Sequence, residues 1–516
     1  MKRVFLTMLF IVVMITNTFG QNEITGDITS NQTWYADQDY LLTGQTFVEA
    51  GVTLTIEPGT VIKANQDDGT GLAPALVIKR GGILIANGTK NAPITFTSSL
   101  PDSSLPARGT WGGLIILGAA PTNKGTSFVE GLAGIPYGGD NPADSSGILR
   151  YVRVWYGGRS IGQDNEINGI TFAGVGNKTV VEYCEVAYNL DDGFEFFGGT
   201  VNVKYLSALF VGDDAFDTDE GYQGKGQFLF TIQGTDMCGR GFEMDNSGSN
   251  MDLQPRSYPQ FSNATIIGPN GGTPTNDGSD ELIRLREGTG GDFRNMLLAY
   301  GNGVGLRVKD GATQALIPDS ISFTSNSVIY DCATAQFHSD IISDFTAKNI
   351  NPEFRHLEGR QNSGMIDPRP AIGSSLLDSA VALENDGFFT QVDFIGAFGN
   401  EQWLESWSIL DEQGRLGTAT AIENNNISLA TSFELSSYPN PFNPTTNINF
   451  FVPKTQNVKI MIYNLKGEKM LTLLNQEMEM GDHAITFDGS NFSSGIYFVK
   501  LETSNNIIAK SITLLK

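Results

Sequence analysis

Short apolar runs alternate with Gly, Asp and Asn along most of the chain, and several of these runs recur at a fixed spacing. The segment 55–65 aligns with the segment 77–87 at an offset of 22 residues, which places Ile56 on Ile78. The apolar positions have no helical period. A repeat of this length, rich in short strands, is typical of one coil of a β-helix, in which a single coil is too small to fold alone.

A second series of repeats occupies the middle of the chain and has the same offset of 22 at its start. Its copies are Asp191–Glu195, Asp213–Asp217, Arg240–Met244, Ile283–Leu285 and Leu306–Val308. Stacked parallel coils bring residues of equal register into ladders about 4.8 Å apart. We therefore expect Phe194, Phe216 and Phe242 to stack inside the solenoid, and Ile56 to stack on Ile78. A sandwich has no reason to keep this period, and a propeller blade needs about 40 residues or more.

The pattern changes after Trp407. Residues 411–432 are polar, small and aperiodic, which predicts a linker. Residues 433–516 contain five strand-like runs separated by turn residues, and the segment 438–444 contains three prolines that exclude a helix or a central strand. This second unit is predicted to be a small antiparallel β-sandwich, so the whole chain is all-β.

The N-terminus has the pattern of an export signal. Lys2 and Arg3 precede an apolar run over residues 4–15 that is too short for a permanent membrane span, and small residues precede Gln21. Residues 1–20 are therefore predicted to be a signal peptide, which leaves residues 21–410 as the passenger. The mature chain is expected to contain no transmembrane segment.

Composition narrows the classes of function. Lys+Arg is 33 and Asp+Glu is 57, so the formal net charge is -24, which disfavours nucleic acid as a partner. An odd number of cysteines, Cys184, Cys238 and Cys332, does not make a disulfide framework, and we expect three free thiols. The three histidines are far apart in sequence, which leaves little material for a zinc site or a Ser-His-Asp triad.

Residues 22–410 resemble the right-handed parallel β-helix proteins of the pectate-lyase-like superfamily. The segments that carry the resemblance are Leu54–Thr60, Asp191–Phe197 and Trp403–Trp407. The resemblance implies a right-handed parallel β-helix solenoid and leaves the activity open, because catalytic and non-catalytic proteins share this scaffold.

The C-terminal unit resembles the type A C-terminal sorting domain of type IX secretion. The resemblance rests on the segments 439–441, 462–468, 494–500 and 510–516. The sorting-motif residues are Pro439, Asn440, Pro441, Tyr463, Asn464, Gly467, Gly495, Tyr497 and Lys510. It implies export through the Sec translocon and the type IX machinery of a Gram-negative bacterium, followed by attachment to lipopolysaccharide at the cell surface or release.

A row of charged residues follows the Phe ladder. Equal register places Glu195, Asp217 and Glu243 on one outward-facing row that continues to Arg284 and Arg307. Stacked carboxylates repel unless a cation or an arginine lies between them. Calcium, which accepts several oxygen ligands in irregular geometry, is the candidate cofactor. Its candidate ligands are Asp192, Glu195, Asp214, Asp217 and Glu243.

The same row has two other interpretations. The acidic residues can be solvated turn residues, as Asp beside Gly often is. Alternatively the row is an active site on polysaccharide, since glycosidases need two carboxylates about 5–10 Å apart. The resemblance to pectate lyases then assigns catalytic roles to Glu195, Asp217, Glu243 and Arg284.

The aromatic residues Trp155, Tyr156, Trp403 and Trp407 are candidates for sugar stacking, but interior packing is the commoner use. Trp403 and Trp407 are expected to cap the end of the apolar column. Together these patterns predict a secreted or cell-surface β-helix protein with a non-catalytic surface, adhesion or glycan-binding role. The alternative is a polysaccharide lyase or glycoside hydrolase that acts on extracellular glycans.

Overall fold

A computed structural model describes residues 21–66, 72–129, 132, 134–162, 165–271, 280–359, 363–417, 434–438, 440, 442–452, 456–478, 481–503 and 507–516. The predicted signal peptide, and residues 418–432 of the predicted linker, lie outside the described residues. The chain divides into two compact units, Met1–Thr420 and Ala421–Lys516. No helix among the described residues is long and apolar enough to cross a membrane.

The first unit is a solenoid of parallel strands in two long sheets, A and B. The strands of sheet A are Asn22–Ile24, Gln32–Trp34, Tyr40–Leu42, Thr53–Ile56, Val61–Ala64, Ile83–Asn87, Ile94–Ser98, Gly147–Trp155, Val180–Ala187, Asn202–Leu209, Lys225–Ile232, Gln260–Ile267, Gly291–Arg294, Leu297–Ala299, Ile321–Phe323 and Val328–Tyr330. The strands of sheet B are Gln45–Val48, Ala75–Ile78, Leu114–Leu117, Ile170–Ala173, Phe194–Phe197, Phe216–Asp219, Phe242–Met244, Ile283–Leu285, Val304–Val308 and Ala335–Phe337.

The remaining elements of this unit are short. Among the described residues, three antiparallel hairpins pair Ser127–Phe128 with Pro136–Tyr137, Ser160–Gly162 with Asn165–Glu166, and Phe354–Leu357 with Ile366–Pro370. The helices are Asp102–Ser104, Gly311–Gln314, Ser339–Ile341, Ser375–Leu377 and Ile409–Glu412. The last of them crosses residue 410, the predicted end of the passenger, and Leu416 is still buried against this unit.

The interior of the solenoid confirms the predicted Phe ladder. Phe194 lies opposite Phe216, and Phe216 lies opposite Phe242. The ring centroids of each pair are 5.3 Å apart, and all three side chains are fully buried. The repeat with offset 22 was therefore the correct register in the middle of the chain. Parallel pairing of nearly every coil with the next confirms the predicted β-helix.

The predicted register of the first coils is wrong. Ile56 lies opposite Trp34 and Ala86, whereas Ile78 lies opposite Val48 and Ile116 in the other sheet. The offset of 22 holds between the strands Gln32–Trp34 and Thr53–Ile56, but the next coil takes 30 residues, since Thr53 pairs with Ile83. The additional residues lengthen that coil, and the sequence alignment had matched two different sides of the solenoid.

The end of the apolar column is capped by a different segment from the predicted one. The short helix Ser339–Ile341 buries Ile341, and Phe345 after it packs on Phe323 and Phe337, with ring centroids 6.4 Å and 6.1 Å away. Apolar residues of the last coil are shielded there from water.

Trp403 and Trp407 instead cover the flank of sheet A, so their predicted role as an end cap is wrong. They belong to residues 394–417, which run back along the outside of the coils and which we call the return segment. Trp407 contacts Tyr183 edge-on at 6.3 Å, and Trp403 contacts Tyr205 edge-on at 5.6 Å. The chain reverses after the last coil, and this reversal is not visible in a local pattern.

The return segment packs on a ladder of aromatic residues at the bend of successive strands. Tyr151, Tyr183, Tyr205 and Phe228 all have positive φ, between 49° and 60°, and neighbouring rings are 4.3–4.6 Å apart. This backbone conformation is unfavourable for residues other than Gly, by about 1 kcal/mol or more each. Stacking of the rings, at ~0.5–1.5 kcal/mol a pair, offsets that cost.

A buried carboxylate fixes the return segment to the coils. Glu185 accepts hydrogen bonds from the backbone N–H of Ile409 (2.8 Å), from Trp155 Nε1 (3.0 Å) and from Ser207 Oγ (3.2 Å). Burial raises the pKa of Glu185 to about 7. Trp155 and Tyr156 are themselves buried, which agrees with interior packing and not with a sugar platform.

All three cysteines are free, as the odd count predicted. Cys184 and Cys238 are buried, and Cys332 is partly buried. Burial raises the pKa of the Cys184 thiol to about 12, so this thiol stays protonated. These side chains serve as small apolar residues of the core.

The second unit consists of two antiparallel sheets. One contains Glu434–Tyr438, Thr445–Val452 and Gly481–Asp488. The other contains, in spatial order, Lys469–Met478, Gln456–Asn464, Gly495–Glu502 and Ile507–Leu514. Alternate residues of both sheets, among them Ile448, Ile460 and Val499, form one buried core. This confirms the predicted antiparallel β-sandwich.

Replacing Trp407 by Ala should destabilise the first unit by about 3–5 kcal/mol, because the side chain is 1% exposed and leaves a cavity between the return segment and the aromatic ladder. Urea unfolding followed by circular dichroism measures the change. Ile372→Ala is the control, since Ile372 is 84% exposed and should shift the midpoint little. Equal midpoints for both variants would contradict the packing role of the return segment.

Candidate functional site

The predicted row of charged residues exists and lies on sheet B. Glu195 lies opposite Asp217, which lies opposite Glu243. The row continues to Arg284 and then to Arg307. Because side chains alternate along a strand, these residues point away from the core into which the neighbouring Phe residues point. We call the carboxylates of Asp192, Glu195, Asp214, Asp217 and Glu243 the acidic ladder.

Turn residues complete the acidic ladder. Carboxylate oxygens lie within 4.8 Å of one another in each of three groups. The groups are Asp191, Asp192 and Asp213; Asp192, Glu195 and Asp217; and Asp214, Asp217 and Glu243. The five residues predicted as calcium ligands therefore converge in space, with Asp192 and Asp217 each shared by two groups.

The acidic ladder is covered, although it faces away from the core. Glu195 is 9% exposed and Glu243 is 6% exposed, and Asp192 and Asp214 are also buried. Asn168, from the loop before the strand Ile170–Ala173, donates its side-chain amide to Glu195. The prediction that these acids are solvated turn residues is therefore wrong for the buried members, because segments distant in sequence fold over the row.

Arginines neutralise one half of the row. Arg240 Nη1 lies 3.1 Å from Asp214 Oδ2 and 2.9 Å from Glu243 Oε1. Arg286 Nη2 lies 3.0 Å from the other oxygen of Glu243, and its Nε lies 2.8 Å from Asp245. Charge is therefore compensated around Glu243, where each oxygen contacts a guanidinium.

Arg284 belongs to the same half and is committed to a carboxylate. Its Nη2 lies 2.7 Å from Glu281 Oε2, and Arg307 contacts the other oxygen of Glu281 at 2.8 Å. The side chain of Arg284 is 8% exposed. An arginine held in this way is poorly placed to act as the base that the resemblance to pectate lyases assigned to it.

The other half of the row is a cluster of carboxylates around Asp192, Glu195 and Asp217. Burial raises the pKa of Asp192 well above its ordinary value, and repulsion from Asp191 and Asp217 raises it further. Burial and then the charge of Glu243 raise the pKa of Asp217 in the same way. The Oδ1 oxygen of Asp217 is inaccessible and has no hydrogen-bond partner among the described residues.

Glu243 combines both influences. Burial and the charge of Asp214 raise its pKa, and Arg240, Arg286 and Arg284 lower it, with a net result of about 7. An oxygen-rich pocket with excess negative charge matches the preference of Ca²⁺ for carboxylate ligands. The residues around Asp192, Glu195 and Asp217 thus fit a cation.

Several members of this site were missed in the sequence. Arg240 begins the third repeat copy and Asp245 directly follows it, and Arg286 and Glu281 lie beside a weaker copy. Two of them had a usable signal, because Asp245 and Arg286 follow Glu243 and Arg284 by two residues and so point to the same side of the sheet. Asn168 had none, since its position depends on a loop.

The sorting-motif residues lie in the second unit, with Pro439 and Pro441 outside the described residues. Asn440 bridges the strand Ile507–Leu514, because its amide donates to Ser511 O at 3.1 Å and its Oδ1 accepts from Thr513 N at 2.8 Å. Lys510 is exposed on that strand. Asn440 therefore holds the final strand in place.

Other motif residues shape turns and the core. Asn464 Oδ1 accepts from the backbone N–H groups of Lys466 and Glu468, at 2.9 Å and 3.0 Å, and Gly467 supplies the positive φ of 77° that the hairpin turn needs. Gly495 and Tyr497 lie on the strand Gly495–Glu502, and the Tyr497 hydroxyl donates to Ser493 O at 2.8 Å.

Comparisons with known proteins agree with this architecture. Residues 436–514 match the family of secretion system C-terminal sorting domains, which confirms the predicted sorting unit and indicates export to the cell surface or the extracellular space. No curated protein matches the chain.

One solved structure, the enzymatically active domain of tailspike protein 2 from bacteriophage CBA120, matches with 10% identity and a TM-score of 0.27. The match covers 92% of this chain and 72% of the tailspike chain. Residues 26–366, about two thirds of the chain, match the family described as pectate-lyase like beta helix domain. This match agrees with the parallel coils of the first unit, and the chain therefore belongs to the pectate-lyase-like β-helix family.

Proposed function

We propose that this exported protein is a non-catalytic β-helix that binds extracellular glycans or other surface polymers. Burial of the acidic ladder carries the proposal. The carboxylates of Glu195 and Glu243, which a glycosidase would need beside its substrate, are less than a tenth exposed. A glycosidic bond cannot reach them in this arrangement, in which Asn168 covers Glu195 and both Arg240 and Arg286 contact Glu243.

The surroundings of the row support the same conclusion. A cavity lined by Cys238, Asp280, Glu281 and Asn302 adjoins its arginine end and has a volume of about 10 Å³. This volume is about that of one water molecule and far below that of a ligand pocket, which is ~300 Å³ or more.

The outer face of sheet A offers a surface for a polymer. Asn87, Arg150 and Glu182 occupy one row on successive coils, and the next member of the row, Lys204, donates to Thr390 Oγ1 at 2.9 Å. Arg150 Nη2 lies 2.9 Å from Glu182 Oε2, and the two side chains are 35% and 37% exposed. Hydrogen-bonding groups repeated at the coil spacing suit a chain molecule with its own repeat.

A polysaccharide lyase or glycoside hydrolase is the second candidate. One observation favours it: the pKa of Glu243 is raised to about 7, and glycosidases use a carboxylic acid that stays protonated near neutral pH as the proton donor. For this function the ladder would have to open to solvent.

The acidic ladder fits a structural role for Ca²⁺ in the proposed protein. A cation between Asp192, Glu195 and Asp217 would offset the mutual repulsion, and Asp217 Oδ1, which has no hydrogen-bond partner among the described residues, would serve as one of its ligands. The cation would also join two successive coils, because Asp192 and Glu195 belong to the coil of the strand Phe194–Phe197 and Asp217 lies on the next strand, Phe216–Asp219.

A glycan screen separates the two functions. We expect the purified protein to retain acidic or neutral glycans without shortening them, and binding should weaken when Glu182→Lys disrupts the polar row on sheet A. Glycan chain length and retention are measured together. Cleavage that disappears in Asp217→Asn would instead establish the enzyme.

Added calcium should raise the melting temperature of the β-helix unit. A site filled at 100 times its dissociation constant adds about 2.7 kcal/mol. Asp217→Asn should remove most of this gain and leave the calcium-free protein unharmed, because one repelling charge is lost. The control is Asp386→Asn, since Asp386 pairs with Lys225 on sheet A, whereas the ladder lies on sheet B. Coincident wild-type curves with calcium and with chelator would rule out the cation site.

With chelator present, the free energy of unfolding should fall as the pH is raised from 5 to 8. Acids with a raised pKa, such as Glu243 at about 7, keep protons in the folded state that the unfolded chain has already released above its ordinary value of 4.5. The stabilisation that these protonated acids contribute is complete below pH 4.5 and is lost as the pH rises through 7. Urea midpoints across this range measure the effect.

Two variants test which residues cause this decrease of the urea midpoint with pH. Asp217→Asn should flatten it, because the pKa of Asp217 is also raised. Asp386→Asn should shift all midpoints equally, since the pKa of Asp386 is lowered to about 2 and its contribution is complete well below pH 5. A wild-type slope that rises with pH would contradict the burial of the ladder.

A further inference from the structure

The four-stranded sheet of the second unit exposes apolar side chains on its outer face. Along the strand Gly495–Glu502, Val499 and Leu501 point into the core, whereas Ile496 and Phe498 point outward and are 45% and 37% exposed. The alternation is that of an ordinary half-buried strand except that the outward residues are large and apolar.

Phe498 borders a shallow cavity of about 310 Å³, and Ile496 lies two residues before it on the same face of the strand. Its wall includes Tyr463, Leu465 and Phe498. Leu465, in the hairpin turn that Asn464 stabilises, is 68% exposed. We call Tyr463, Leu465, Ile496 and Phe498 the Phe498 face. Aromatic and aliphatic residues around a pocket are typical of the centre of a protein–protein interface.

Lysines surround the Phe498 face. Lys500 Nζ lies 5.9 Å from the ring centroid of Tyr463, and Lys466 and Lys469 are exposed on the adjoining turn and strand. The one acid in this turn, Glu468, accepts a hydrogen bond from Asn464 Nδ2 at 2.7 Å. Lys500 also pairs with Glu502 at 2.7 Å, so Lys466 and Lys469 give the rim its excess positive charge.

The basic rim contrasts with the strongly acidic β-helix unit, because the negative charge of the chain is unevenly distributed between the two units. Residues 433–516 contain seven lysines and seven acidic residues, so the net charge of -24 lies outside them. A receptor with an apolar ridge and an acidic rim would be attracted to the Phe498 face and repelled by the β-helix. This complementarity would direct the receptor to the sorting unit.

We propose that the Phe498 face is the surface by which a protein of the outer-membrane secretion machinery recognises this chain. The proposal rests on the family assignment of the sorting unit and is independent of the proposed role of the β-helix. A basic rim would also suit an anionic lipid, but the exposed aromatic and aliphatic centre with its pocket favours a protein.

The test uses the full chain in a cell that has the type IX machinery. Phe498→Ser removes the largest side chain of the face, and Leu465→Ser removes one that is mostly exposed and contributes little to folding. Each variant should lower the surface fraction of the protein about tenfold, with accumulation in the periplasm. Ile372→Ser, which removes an exposed apolar residue of the β-helix, is the matched control and should export normally.

Protease resistance of the retained protein shows whether the sorting unit is folded. Periplasmic retention of folded Leu465→Ser supports the proposal. Normal export of both variants overturns the proposal. In that case, periplasmic retention of a chain that lacks residues 433–516 would show that the sorting role of the unit still holds. Export followed by release into the medium also overturns the proposal, because the face would then be a site of surface attachment.

Discussion

The register between parallel coils is the constraint on which the rest of this structure depends. Each residue lies directly over its equivalent in the next coil, at the strand spacing of about 4.8 Å, so a repeated residue becomes a ladder. Phe194, Phe216 and Phe242 gain from this arrangement because their rings pack inside the column. The same spacing is unfavourable for Glu195, Asp217 and Glu243, because it stacks carboxylates that repel one another.

The repulsion between these carboxylates is compensated differently in the two halves of the row. Around Glu243, Arg240 and Arg286 supply the opposite charge from the same and neighbouring coils. Around Asp192 and Asp217 the described residues supply mostly further carboxylates, and the pKa of each rises. The two halves therefore differ in chemistry although the backbone repeats, and the excess charge is concentrated where a cation would be held most strongly.

Much of this could be predicted from the sequence, because the coils obey a local rule. The offset of 22 gave the correct partners of Phe194 and Glu195, and alternation along each strand gave the correct side. The same offset failed for Ile56, since a coil of 30 residues follows it and a constant period cannot reveal a change in coil length. Interactions across long sequence separations were also hidden: the covering of Glu195 by Asn168 and the packing of Trp407 on Tyr183 depend on where loops and the return segment lie.

Access to solvent, more than the identity of the acids, distinguishes the functions that this row can support. Catalysis and cation binding would use the same carboxylates, and burial raises their pKa values in either case, so the raised pKa that suits a proton donor also suits a buried ion site. A reacting glycosidic bond must pass between the two acids, whereas a structural ion is held better when water is excluded. The proposal of a retained ion, as opposed to turnover of a polymer, therefore rests on the burial of Glu195 and Glu243 and on the pairing of Arg284 with Glu281. The exposed rows on other faces of the solenoid are then the part of the molecule that is free to bind a ligand.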